Sequence, residues 1–206
     1  MSQRISIVDY GMGNLRSVEK ALAHVAPGAE VAITARPEDI RAADRVVFPG
    51  QGAMPDCMRC LRESGLGEAV AEAARAKPFL GLCIGQQMLF EGSEEDPDAG
   101  LSLLTGTIRR IPDAAVKVPH MGWNEVRWTA DHPFVSGIPT GTRFYFVHSY
   151  AAHVDPIYTV GQTDHAVSFA SVVASGSVFA TQFHPEKSGE PGLAIYESFV
   201  KEVGAA

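Results

Sequence analysis

Residues 79–87 read Phe79-Leu80-Gly81-Leu82-Cys83-Ile84-Gly85-Gln86-Gln87. The apolar run 79–82 suits a strand buried on both faces of a parallel sheet. It passes through Cys83, with no linker, into a helix-like stretch over 86–90. A glycine stands two residues before the cysteine and another two residues after it. This is the cysteine form of a strand–turn–helix elbow, where a side chain at either flank would crowd the turn. The elbow lifts Cys83 above the sheet and sets its sulfur at the start of the next helix. The positive end of that helix favours the thiolate, the species that attacks. The Ile84 amide at the same end is placed to meet a developing oxyanion.

The flanking sequence repeats the strand–helix rhythm. Residues 5–8, 31–34 and 45–48 are short apolar runs, the last closing on Pro49-Gly50. Between them Asn14 is positioned to cap a helix carrying Leu15, Val18, Leu22 and Val25 on one face, which Pro27-Gly28 stops. A short helix is expected over 37–43, and helix within 54–76 leads back to residue 79. Crossovers of this length return strands in parallel, so this half is expected to be an open parallel sheet with helices on both faces. Beyond Glu91 and the turn-rich Gly-Ser-Glu-Glu-Asp stretch come extended runs at 103–111, 125–128, 143–147, 158–161, 169–173 and 178–183. Ser175-Gly176 reads as a hairpin turn between the last two, which predicts antiparallel additions to the sheet. A final helix has Pro191 in its first turn and buries Ile195 and Phe199. No repeat or linker divides the 206 residues, so one domain over 1–206 is expected.

With 46% hydrophobic and 20% charged residues the chain is rich enough in apolar groups for a packed core. The net charge of -7 and the lack of a basic run argue against a nucleic-acid partner, which demands cations against phosphate. No stretch has the apolar length to cross a bilayer, and the N-terminus enters a strand pattern without a signal-like segment. Three cysteines do not make a secreted disulfide framework. The cytoplasm is the expected compartment.

A buried cysteine closing a strand is also a small apolar residue like any other, so a nucleophile needs a base. Gln182-Phe183-His184-Pro185-Glu186-Lys187-Ser188 supplies one at the end of an extended run. Pro185 forces His184 out of helical geometry. His184 and Glu186, one residue apart, project to the same side: imidazole to thiol, carboxylate to imidazole. Nucleophile, base and orienter together are the equipment of acyl transfer. A metal reading of the pair lacks a third ligand at suitable spacing, so no metal is expected. Cys57 and Cys60 match C-x-x-C, but they fall one turn apart inside a helix rather than at its start, which argues against a redox or zinc pair. Gly11-Met12-Gly13-Asn14 lacks the third glycine and the lysine of a phosphate loop. The loop Pro49-Gly50-Gln51-Gly52 ends a neighbouring strand at the same sheet edge, where ligands of open parallel sheets bind.

These motifs together resemble the class I, triad-type glutamine amidotransferases, nearly end to end. GLCIGQQ and QFHPEKS carry the family pattern; VDYGMGN, VPHMGWN and YFVHSY resemble its histidine-biosynthesis branch. The resemblance implies that Cys83, His184 and Glu186 form a triad releasing ammonia from glutamine, with no cofactor. It assigns the oxyanion to the backbone amides of Ile84 and Gln51, with Gly50 and Gly52 beside them. Gln87 and Glu91 would belong to the glutamine pocket, and His148, Ser149 and Tyr150 would hold the amino-acid end. Asn14, Met121, Trp123, Asn124 and Lys187 would lie near a partner: a cyclase subunit with a (β/α)₈ barrel, forming a heterodimer. That partner would use the ammonia to make imidazole glycerol phosphate and an aminoimidazole carboxamide ribonucleotide. Trp123 suits such a contact, tryptophan being enriched at interface hot spots, although most tryptophans are largely buried.

Overall fold

The computed structural model describes residues 2–96, 100–114 and 116–201 of the chain. Its N-terminal half alternates strand and helix: β1 (Arg4–Val8), α1 (Leu15–Val25), β2 (Glu30–Thr34), α2 (Pro37–Ala42), β3 (Arg45–Gly50), α3 (Met54–Ser64), α4 (Gly67–Ala76), β4 (Phe79–Cys83) and α5 (Ile84–Gln87). The four strands pair in parallel in the order β2-β1-β3-β4. The helical stretch expected over 54–76 is two helices. Gly65 takes a left-handed φ of 72° and its N–H closes α3 on the Arg62 carbonyl at 3.1 Å, turning the chain before α4. The helix expected over 86–90 starts earlier, at Ile84, and lasts a single turn. After it Leu89 and Phe90 donate to the carbonyls of Gln86 and Gln87 at 3.2 Å, the tighter three-residue pattern. Asn14 does stand at the N-cap of α1, but its side chain caps nothing.

The C-terminal half adds β5 (Gly92–Ser93), β6 (Gly106–Arg110), β7 (His120–Trp128), β8 (Thr142–His148), β9 (Tyr150–Val154), β10 (Thr159–His165), β11 (Val167–Ser175), β12 (Val178–Thr181) and α6 (Gly189–Lys201). Among the described residues they extend one 12-stranded sheet, β4 being followed by β12-β11-β10-β7-β8. β12 runs parallel to β4, with Thr181 opposite Leu82. Its other neighbour, β11, is antiparallel and joined to it by the hairpin turn at Gly176, Ser175 facing Val178. β9 extends past the run read over 143–147. The chain bends at Ser149 and continues against β6 and β11 rather than β7.

β4 is buried throughout. Phe79 packs with Ile40, Leu61 and Val70 from α2, α3 and α4, whereas Leu80 and Leu82 pack with Val18, Leu22, Ile195 and Phe199 from α1 and α6. Alternation along one strand thus feeds two cores, one per face of the sheet, as the expected architecture requires. Each such side chain withdrawn from water contributes roughly 1.5–3 kcal/mol. Among the described residues no helix is long and apolar enough to cross a membrane.

Candidate active site

Cys83 ends β4 in a conformation that L residues rarely adopt, φ 54° and ψ -108°. Strain of this kind costs on the order of 1–3 kcal/mol and persists where surrounding packing dictates it. The packing is visible at the glycines. A Cβ on Gly85 would overlap the Phe48 carbonyl oxygen, and one on Gly81 would meet Ala180 Cβ at 3.0 Å. A Cβ on Gly50 would come within 2.8 Å of the Gly85 nitrogen. The ends of β3 and β4 are therefore pressed together, and only glycine leaves room. Tyr10 holds the same region: its hydroxyl donates to the Pro49 carbonyl at 2.9 Å.

His184 reaches Cys83 because β12 lies beside β4. His184 Nδ1 and Glu186 Oε1 are 2.9 Å apart, and the two side chains are only 3% and 1% exposed. A carboxylate accepts here, so Nδ1 carries the proton and Nε2 is left for the thiol. Burial opposes charge on the imidazole, but neighbouring Cys83 and Glu186 outweigh it and hold its pKa well above the ordinary value. With α5 only one turn long, the helix dipole is a smaller aid than the elbow pattern suggests. His184 is fixed from behind. The His184 N–H donates to Tyr145 at 2.9 Å, and Ser188 Oγ donates to the His184 carbonyl at 2.7 Å.

A cavity of about 430 Å³ opens over Cys83. Gln51, Gly52, Ile84, Gln87, His148, Ser149, Tyr150 and His184 line it, all positions expected from the sequence. Gly50 is buried behind the wall rather than in it. Glu91 is the misplaced expectation: it lies outside the cavity, and its Oε2 accepts from the Gly106 N–H at 2.9 Å. Glu95 lines the cavity instead. A tight turn brings it there, with Ser93 N–H donating to the Asp96 carbonyl at 3.0 Å and Ser93 Oγ accepting from the Glu95 N–H at 3.1 Å. Burial raises the pKa of the Glu95 carboxyl, opposed by the Met54 N–H. A roomier hollow of about 510 Å³ lies between Trp128 and Ile138, but it contains none of Cys83, His184 and Glu186, so chemistry rather than size selects the site.

Sequence reasoning gave Gln182 no role. It is fully buried, its Nε2 donates to Cys83 Sγ at 3.7 Å, and its Oε1 accepts from Gln87 Nε2 at 2.9 Å. Its only signal was parity with His184 along the same extended segment. Cys57 lies inside α3 with its thiol on the Gln51 carbonyl at 3.4 Å, and burial pushes its pKa up to about 11. Cys60 follows one turn later, and all three cysteines are free thiols.

On the outer face of β7, Met121 is 62% and Trp123 54% exposed, so Trp123 is no core residue. Trp123 meets Tyr145 edge-on at 6.3 Å, and Lys187 Nζ sits 5.9 Å from the Tyr145 ring centroid. Asn14 is half-buried at the start of α1. Asn124 departs from the expected surface. Strand alternation turns its side chain to the inner face, where Nδ2 lies 3.1 Å from His120 Nε2.

The family model described as "Glutamine amidotransferase class-I" matches residues 6–203. Among curated relatives, the chain is 55% identical over 205 residues to "Imidazole glycerol phosphate synthase subunit HisH" of Aromatoleum aromaticum, covering 95% of this chain and 97% of that one. It is 54% identical over 209 residues to the protein of the same name from Thiobacillus denitrificans, covering 97% and 92%. Among solved structures, PurLQS from Thermotoga maritima superposes with a TM-score of 0.75 at 21% identity, over 97% of this chain and 98% of that one. A glutamine amidotransferase from the same organism gives 0.63 at 17% identity, over 90% and 77%. At such identities the structural likeness speaks for the fold alone.

Proposed function

The chain belongs to the class-I glutamine amidotransferase family, and on that premise we propose that it is the glutaminase subunit of an imidazole glycerol phosphate synthase in histidine biosynthesis. The single observation that carries the chemistry is the convergence of Cys83, His184 and Glu186 beneath one cavity. Glutamine enters with its carboxamide over Cys83. Gln87 Oε1, buried and without a hydrogen-bond partner among the described residues, accepts from the ligand, while Glu95 and the 148–150 segment hold the amino-acid end. The thiolate adds to the carboxamide carbon, and the oxyanion rests between the Ile84 and Gln51 amides. One such donor is typically worth ~10²–10³ in rate. His184 gives its proton to the departing nitrogen, ammonia leaves, and a γ-glutamyl thioester remains. Water, deprotonated by His184, cleaves the thioester to glutamate and restores the thiol. Glu186 keeps the ring in its tautomer and stabilises the cation.

The ammonia passes to a cyclase subunit with a (β/α)₈ barrel, docked on the face that presents Met121, Trp123 and Lys187. The exposed aromatic suits an interface anchor. The whole chain acts as one domain, in the cytoplasm and without a cofactor. The test is glutamate release and cyclisation by the complex with and without Cys83→Ala. Glutamine-driven cyclisation should vanish in the variant, and added ammonium should restore it, more so as pH rises and neutral ammonia increases. Loss of ammonium-driven cyclisation in an intact variant complex would sink the division of labour. Retained glutamate release by Cys83→Ala would sink the triad.

A further inference from the structure

A continuous line of hydrogen bonds runs from the inner face of β7 to the nucleophile. Asn124 Nδ2 lies 3.0 Å from the Asp164 carbonyl and 3.1 Å from His120 Nε2, and its Oδ1 accepts from the Glu125 N–H at 2.8 Å. His120 Nδ1 lies 2.9 Å from His148 Nε2, directly across the β7–β8 pair. His148 Nδ1 lies 2.8 Å from the Tyr150 carbonyl. That carbonyl also receives Gln87 Nε2 at 2.9 Å, and Gln87 holds Gln182, which donates to Cys83.

Every direction in this line is determined. A carbonyl oxygen only accepts, so His148 carries its proton on Nδ1. Burial pushes the pKa of His148 down to about 3 and that of His120 to about 4, so both rings are neutral near pH 7 and hold one proton each. Neutral His148 therefore accepts at Nε2, which makes His120 Nδ1 a donor and His120 Nε2 an acceptor. Asn124 must then present its amide nitrogen, and its independent bonds to Asp164 and Glu125 demand the same orientation. On the far side, the two hydrogens of Gln87 Nε2 are shared between the Tyr150 carbonyl and Gln182 Oε1. Gln182 consequently turns its own Nε2 to sulfur. Stacking of His120 on His165 at 4.1 Å and on Phe146 at 4.7 Å keeps its ring in plane with the chain.

We propose that Asn124, His120 and His148 are positioning residues: their hydrogen bonds run one way onto the Tyr150 carbonyl and hold it in place, and that carbonyl, which also accepts from Gln87 Nε2, sets Gln87 and through it the Gln182 amide that donates to the Cys83 sulfur. A donor on sulfur favours the thiolate, so the back of the exposed strand β7 helps to set the reactivity of the nucleophile. The inference deepens the glutaminase reading and rests on it for the role of Cys83.

Two measurements on the full chain test it. With ¹⁵N-labelled histidine, long-range ¹H–¹⁵N correlation spectra near pH 7 should show His120 and His148 both protonated on Nδ1. A proton on Nε2 of either ring reverses a link and overturns the proposal, whatever the variants do. The second measurement is the rate of Cys83 alkylation by iodoacetamide against pH, which needs no partner and no glutamine. In Gln182→Leu the midpoint of the profile should move up by about 0.5–1 unit, the worth of one hydrogen bond to sulfur. Asn124→Ala should move it in the same direction by a smaller amount, with His120 keeping its proton on Nδ1 but losing the donor that holds its Nε2. An Asn124→Ala profile superimposable on wild type would overturn the chain, even with Gln182→Leu shifted. Failure of the glutaminase reading shows separately, as a wild-type complex that alkylates normally and releases no glutamate.

Discussion

Replacing Gly192 with alanine should damage catalysis far more than stability. Gly192 lies in the first turns of α6, buried where the helix crosses the segment carrying the base. A Cβ there would overlap the Pro185 carbonyl oxygen and stand 2.8 Å from the carbonyl carbon and 3.0 Å from Pro185 Cα. Ordinary carbon–carbon contact begins at about 3.5 Å, so helix and segment must part by about 0.7 Å or more. That displacement falls between His184 and Glu186. Overpacking costs about 1–3 kcal/mol, and alanine returns about 1 kcal/mol over glycine in a helix, so the net loss of stability is small. A misplacement near 1 Å costs on the order of 10²-fold in rate, so kcat for glutamate release should fall roughly ten- to a hundredfold. The assay is steady-state glutamate release at saturating cyclase, with denaturant unfolding alongside. Gly28→Ala is the control, since a Cβ there meets nothing within 4 Å. A Gly192→Ala enzyme with kcat within about twofold of wild type would refute the argument that α6 sets the base.

A glutamine-analogue electrophile should modify Cys83 and spare Cys57, which is buried, pushed up to about 11 and bonded to the Gln51 carbonyl; peptide mapping that finds the adduct on Cys57 or Cys60 alone would reject the nucleophile. Glu186→Gln should lose less activity than His184→Ala or Cys83→Ala, because an orienting group acts through the base; equal losses with folding intact would mean that Glu186 does more than orient. The buried His148 gives a pH prediction. Its folded pKa, down to about 3, lies below the unfolded value, so below pH ~6.5 the unfolded chain takes up a proton that the folded one refuses. Stability is lost as pH falls, by about 2 kcal/mol from this group at pH 5. Denaturant unfolding at pH 7 and 5 should show a flatter dependence in His148→Phe, and equal slopes would contradict the buried neutral ring.

Much of the parallel half was legible because buried parallel strands are continuous apolar runs, and β1, β3 and β4 are of that kind. The elbow was legible because Gly81 and Gly85 mark places where backbone meets backbone. Other features depend on phase and on partners distant in sequence. Reading a strand only over 125–128 leaves Asn124 outside it; once β7 starts at His120, alternation turns Asn124 inward and Trp123 outward. Glu91 and Glu95 are equivalent acids in one acidic stretch, and only the turn at Ser93 decides which faces the cavity. The Met88–Leu89–Phe90 run reads as helix because it is apolar, yet its backbone tightens after one turn. Gln182 could not be ranked above other glutamines until β12 was seen beside β4.

That adjacency has a bearing on how the protein is born. The edge of β4 opposite β3 is closed by β12, the last strand among the described residues, and 99 residues separate Cys83 from Gln182. A ribosome adding about 5–20 residues per second needs roughly 5–20 s to cover that distance. Throughout that interval the strand bearing Cys83 has an unpaired edge, open to the wrong partner. Cys83 meanwhile lacks both the His184 of the proposed triad and the Gln182 amide. On the proposed triad, an unfinished chain releases no ammonia before β12 is made. A nascent chain stalled short of β12 is a target for chaperones rather than a leaky enzyme.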